Sequence, residues 1–123
     1  MKPKFGMVAI VDDDPRLLEA LGDLLASVGH HVRAFTSARA FLDEGGVSEV
    51  DCLITDIDMP QIDGFELQAM ANDRFPNLPV IFITGKSEVA TQRRVRELEA
   101  GRFFQKPFDH DALLNAISDV LQK

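Results

Sequence analysis

The sequence predicts an α/β fold, a parallel sheet wound with helices on both faces. Three observations predict it. Short apolar runs alternate with stretches of helical periodicity along the whole chain. Several of those runs are continuous, as in strands covered on both faces, instead of alternating apolar with polar. Strand–helix units repeated five times imply parallel strands joined by right-handed crossovers.

The first strand is Met7-Val8-Ala9-Ile10-Val11. Asp14-Pro15 then opens a helix, with Asp capping free amides and Pro suiting the first helical position. Leu17, Leu18, Leu21, Leu24, Leu25 and Val28 form one apolar stripe, and Gly29 follows where that helix should stop. Val32-Arg33-Ala34-Phe35 is the second strand, and Ser37 caps a short helix over Ala38–Asp43. Cys52-Leu53-Ile54-Thr55 is the third, followed by a helix over Phe65–Asp73. Val80-Ile81-Phe82-Ile83 is the fourth, followed by a helix over Glu88–Ala100 capped by Ser87. Phe103-Phe104 marks the fifth. Asp109 caps a last helix with Leu113, Leu114, Ile117, Val120 and Leu121 on one side.

At 123 residues the chain is expected to form a single domain over 1–123. A lone cysteine, Cys52, permits no internal disulfide and no Cys-based zinc site, and reads as packing in a central strand. The 20 acids outweigh the 13 bases, for a net charge of −7. That balance argues against a surface that grips nucleic acid or an anionic membrane, both polyanions. No apolar run approaches the ~20 residues of a membrane span. The N-terminal apolar stretch is cut off by three aspartates, too soon for a signal peptide, so a cytoplasmic location is expected. His30, His31 and His110 have no metal-ligand company and read as structural or surface residues.

Parallel strands all end on one edge, and ligands of such sheets bind beyond their carboxyl ends. The first strand ends in Asp12-Asp13-Asp14 and the third at Asp56, followed by Ile57-Asp58. The fourth ends at Thr84-Gly85 and the fifth at Gln105-Lys106-Pro107. Singly, each has an ordinary explanation: a helix cap, a turn acid, a β-branched strand end, a surface lysine. Together they bring carboxylates, a hydroxyl and an ammonium to one rim. Carboxylate oxygens suit a hard cation such as Mg²⁺. A hydroxyl and an ammonium facing such a site suit phosphoryl oxygens, and a carboxylate can itself be the nucleophile that forms an aspartyl-phosphate.

The chain resembles the receiver domains of response regulators, the phosphoacceptor modules of two-component signalling. The likeness rests on Val11-Asp12-Asp13, Thr55-Asp56-Ile57-Asp58-Met59-Pro60, Asp63-Gly64, Ile83-Thr84-Gly85 and Lys106-Pro107-Phe108, in order and over essentially the whole chain. The resemblance implies a flavodoxin-like (βα)5 fold with strand order 2-1-3-4-5. It implies that Asp56 accepts phosphoryl from a sensor histidine kinase or a phosphotransfer protein, so that the chain is a regulatory phosphoacceptor, not an enzyme with a separate substrate. Mg²⁺, or Mn²⁺, would be held by Asp13 and Asp56, by the backbone carbonyl of Asp58, and through water by Asp12. Thr84 and Lys106 would bind phosphoryl oxygens. Phe103 would be the switch aromatic that turns inward as Thr84 moves; strand alternation then makes Phe104 the inward core partner, the two exchanging roles if the register slips by one. Lys106-Pro107 would be cis. The helix over 88–100, the fifth strand and the last helix would report the change to an output domain or downstream protein, and a phosphorylation-dependent dimer is compatible with the family.

The chain departs from the family pattern in two places, one of them Phe103, which brings no tyrosine hydroxyl to the switch position. Ala100-Gly101 lies closer to the fifth strand than is usual, which implies a reshaped end to the preceding helix. Asp58 and Lys86, each two residues beyond a site residue, suggest an ion pair over the phosphoryl that would obstruct attacking water. Arg93, Arg94 and Arg96 form a basic cluster that reads as a solvated face or as a docking patch. Asp56-x-Asp58 also resembles the haloacid-dehalogenase-type phosphatases, but there that strand comes first in the chain. An interaction module that is never phosphorylated is the third alternative. A flavodoxin-like cofactor binder lacks its Gly-rich loop here.

Overall fold

The computed structural model describes residues 5–44, 50–85, 93 and 102–122. Five strands form one parallel sheet: β1 (Met7–Val11), β2 (His31–Phe35), β3 (Cys52–Asp56), β4 (Val80–Thr84) and β5 (Arg102–Gln105). Their order is β2-β1-β3-β4-β5, as the resemblance implies. The helices are α1 (Pro15–Ser27), α2 (Ala38–Asp43), α3 (Gly64–Arg74) and α4 (His110–Leu121). Arg93 is helical and exposed. The rest of the helix expected over 88–100 lies outside the described residues, as do its cap Ser87, Lys86, Arg94, Arg96 and Ala100-Gly101.

Local chemistry sets the boundaries. Asp14 Oδ1 accepts the Arg16 amide at 3.0 Å, with Pro15 in the first turn. Gly29, at φ +109°, reverses the chain into β2. Ser37 and Asp109 cap α2 and α4. Asp63 and Glu66 complete a reciprocal capping box on α3, at 2.8 and 3.1 Å.

The strand residues divide between two faces, as the pleat requires. Val8, Ile10, Cys52, Ile54, Ile81 and Ile83 pack with α1 and α4 through Leu21, Leu25, Leu113 and Ile117. Ala9, Val11, Leu53 and Phe82 pack on the other side with α2 and α3 through Phe41, Phe65 and Leu67. Every side chain of β3 and β4 is buried, which explains their unbroken apolar runs. Phe103 and Phe104 do point to opposite faces, but both are half-buried. Phe104 packs against the α1 and α4 side of the core, as strand alternation expects, and β5 is the last strand of the sheet. Among the described residues no helix is long and apolar enough to cross a membrane.

Candidate functional site

Register delivers the site. Val11 pairs with Thr55, and Asp56 pairs with Ile83, so Asp12, Asp56 and Thr84 emerge side by side from three neighbouring strands. The Lys106 amide donates to the Thr84 carbonyl at 2.7 Å, which fixes the start of the β5 exit beside the end of β4. The Lys106-Pro107 bond is cis, as expected from the resemblance.

Carboxylate oxygens of Asp12, Asp13 and Asp56 lie within 4.8 Å of one another. Asp12 and Asp56 are buried, at 0% and 4% exposure, while Asp13 faces solvent. Like charges this close repel strongly where water is scarce. Lys106 offsets part of that repulsion, with its ammonium 2.9 Å from Asp12 Oδ2 and 3.6 Å from Asp56 Oδ1. Sequence reasoning placed Lys106 among the phosphoryl ligands; the structure shows that its short contact is with Asp12. Asp56 Oδ1 is buried and has no hydrogen-bond partner.

These surroundings perturb the titrating groups. Burial first, and then the Asp12 charge, push Asp56 from its ordinary 3.8 up to about 6, against the pull of Lys106. Burial alone would lower the Lys106 ammonium, but its hydrogen bond to Asp12 and the charges of Asp56 and Asp12 carry it above the ordinary lysine value. Away from the site, burial and the neighbouring Asp51 charge push the Cys52 thiol up to about 12, consistent with a packing role.

Thr84 is fully buried, and its Oγ1 donates to Asp58 Oδ2 at 2.9 Å. The sequence suggested Lys86 as the partner of Asp58; Lys86 lies outside the described residues. Asp58 is exposed and its carboxylate joins Thr84, not the three-carboxylate group. Phe103 packs, half-buried, against the core on the α2 and α3 side.

One residue of the site's support was underestimated in the sequence. Asp63-Gly64 reads as a plain turn. In the structure, the Gly64 amide donates to the Ile57 carbonyl at 2.9 Å. A β-carbon there would lie 2.8 Å from Ile57 Cα and closer still to the Asp56 carbonyl oxygen. Gly64 lets α3 press against the backbone that carries Asp56. The signal was available as a glycine directly after a helix cap, but its reason is tertiary.

The residues present fit a hard divalent cation. All the side-chain donors are carboxylate oxygens, three of them converge, and one buried oxygen lacks a partner.

A family model described as the response regulator receiver domain matches residues 8–118. The chain is 37% identical over 122 residues to the response regulator protein TmoT of Ectopseudomonas mendocina, covering 99% of this chain and 56% of that protein. It is 40% identical over 110 residues to the transcriptional regulatory protein FixJ of Azorhizobium caulinodans, covering 89% of this chain and 52% of that one. Full-length FixJ from B. japonicum superposes with a TM-score of 0.83 at 31% identity, over 95% of this chain and 58% of that structure. The chain spans about half the length of these relatives.

Proposed function

This chain belongs to the response regulator receiver domain family, and from that premise we propose that Asp56 is its phosphoacceptor. The observation that carries the proposal is the convergence at Asp56: a buried carboxylate with an unpartnered oxygen, two further carboxylates beside it, and the Lys106 ammonium 3.6 Å away.

An Asp56 carboxylate oxygen attacks phosphorus of a phosphohistidine on a sensor kinase or phosphotransfer protein. The new O–P bond replaces the P–N bond, and the histidine nitrogen leaves with the electron pair and takes a proton. Although raised to about 6, the Asp56 carboxyl is still ionised at neutral pH and so competent as the nucleophile. Mg²⁺ or Mn²⁺, held by Asp12, Asp13, Asp56 and the Asp58 backbone carbonyl, would supply positive charge to the carboxylates and the transferring group. Lys106 supplies an ammonium 3.6 Å from Asp56 Oδ1, and the Thr84 hydroxyl a donor for a phosphoryl oxygen. In this way the chain assists its own phosphorylation and hydrolysis.

The modification exchanges the single negative charge of the ionised Asp56 carboxylate for a phosphoryl group carrying about 1.5 to 2, and adds three acceptor oxygens. Differential contacts with Thr84 and Lys106 shift the population toward the modified conformation, with Phe103 repacking beside Thr84. That change is read by an output domain or a downstream protein.

The test is incubation with acetyl phosphate and Mg²⁺ followed by intact mass. The wild-type chain should gain about 80 Da, one phosphoryl group. Asp56→Asn should gain nothing. A wild-type chain that stays unmodified under excess donor would favour a receiver-like interaction module, and multiple-turnover hydrolysis of a small phosphate ester would favour a phosphatase.

A further inference from the structure

The geometry points to the Asp58 side chain as an autoinhibitory latch that holds the Thr84 hydroxyl away from the phosphoacceptor. This rests on the phosphoacceptor assignment of Asp56 made above and adds a regulatory element to the same site. Thr84 Oγ1 donates to Asp58 Oδ2 at 2.9 Å. A hydroxyl carries one donor hydrogen. It therefore cannot serve the Asp58 carboxylate and a phosphoryl oxygen on Asp56 at once. Both acceptors are anionic, so the exchange is between two charge-assisted bonds of similar kind. Part of what phosphorylation gains at Thr84 is spent on releasing Asp58.

The surroundings make the competition effective. Thr84 is fully buried at the end of β4, whereas Asp58 is exposed. The Asp58 charge also adds to the negative potential at Asp56. Asp58 thus opposes the modified form twice, by holding the donor and by repelling the incoming anion. Removing the side chain while keeping the backbone carbonyl separates these actions from any role of that carbonyl in metal binding. In this scheme Asp58 is a positioning residue acting through Thr84.

The experiment has two arms. In the first, without metal or phosphoryl donor, NMR scalar couplings to the Thr84 methyl report its side-chain rotamer. The wild-type chain should show one rotamer and Asp58→Ala rotamer averaging, whereas Asp58→Asn, which keeps an acceptor oxygen, should stay close to wild type. A single unchanged rotamer in Asp58→Ala overturns the latch. In the second, beryllofluoride with Mg²⁺ is titrated as a phosphoryl mimic. Asp58→Ala should bind it roughly tenfold more tightly than wild type, the low end of a bond to a charged group because Asp58 is exposed. Asp58→Asn should gain clearly less, and in a Thr84→Val background Asp58→Ala should lose most of its advantage. Equal gains for Ala and Asn that persist beside Thr84→Val would reduce Asp58 to simple repulsion and overturn the latch. Failure of the wild-type chain to bind beryllofluoride counts against Asp56 as phosphoacceptor, while the rotamer arm still decides the latch.

Discussion

Replacing Asp56 with asparagine should stabilise the metal-free protein. The residue is 4% exposed, its Oδ1 has no hydrogen-bond partner, and the Asp12 and Asp13 carboxylates crowd it. Burial and the Asp12 charge raise its titration from 3.8 to about 6. Between those values the folded state holds a proton that the unfolded chain has released, so stability falls as pH rises through the window and is level above it. At about 1.4 kcal/mol per pH unit, the ionised group costs up to ~3 kcal/mol near pH 8. Solvent reaching the exposed Asp13 side of the group screens this toward about 1–3 kcal/mol. Asparagine has nearly the same shape and no charge. Urea unfolding in EDTA, followed by circular dichroism, should show Asp56→Asn more stable than wild type by that amount near pH 8, and by roughly half as much near pH 5. Millimolar Mg²⁺ should narrow the gap by stabilising the wild-type chain. Equal stability near pH 8, or a gap that does not change between the two pH values, would refute the electrostatic account.

Four further outcomes follow from the same geometry. Gly64→Ala should destabilise the fold by about 1–3 kcal/mol in urea titrations, because the new methyl meets backbone at Asp56 and Ile57 that cannot give way. Lys106→Ala should cost about 2–4 kcal/mol by leaving fully buried Asp12 without its ammonium, and adding Asp12→Asn should recover most of that loss. With the Lys106 ammonium raised above its ordinary value, its contribution should hold at neutral pH and fade only in strongly alkaline solution, visible as a falling Tm there. Cys52 should react with a thiol reagent such as DTNB only after unfolding, because the thiol is buried and pushed up to about 12.

The parts of the site that were legible in the sequence share a cause. Asp12, Asp56, Thr84 and Lys106 each follow an apolar run, and a parallel sheet turns the end of each run into a position on one rim. The strand order that the family resemblance implied, with the observed register, then brings them together. Gly29, Ser37 and Asp109 were legible for a related reason, since caps and stops are settled within a few residues of chain. What was not legible depends on which of several partners a flexible side chain takes. Lys106 is near two carboxylates and makes its short bond to Asp12, because Asp12 Oδ2 is at hydrogen-bond distance while Asp56 is held farther back. Thr84 turns to Asp58, a residue 26 positions away. Gly64 is required by a contact between α3 and the β3 exit, which no local pattern encodes. Phe103 and Phe104 show the same boundary: alternation assigned their faces correctly, but depth depends on the position of β5 at the end of the sheet. Backbone placement is thus a property of pattern, whereas the resting state of the site is a choice among rotamers. If the latch holds, that second layer is where this chain sets its own switching threshold. Two chains with identical rim residues and different side chains at position 58 should then share a fold and a chemistry yet differ in how readily phosphorylation shifts them.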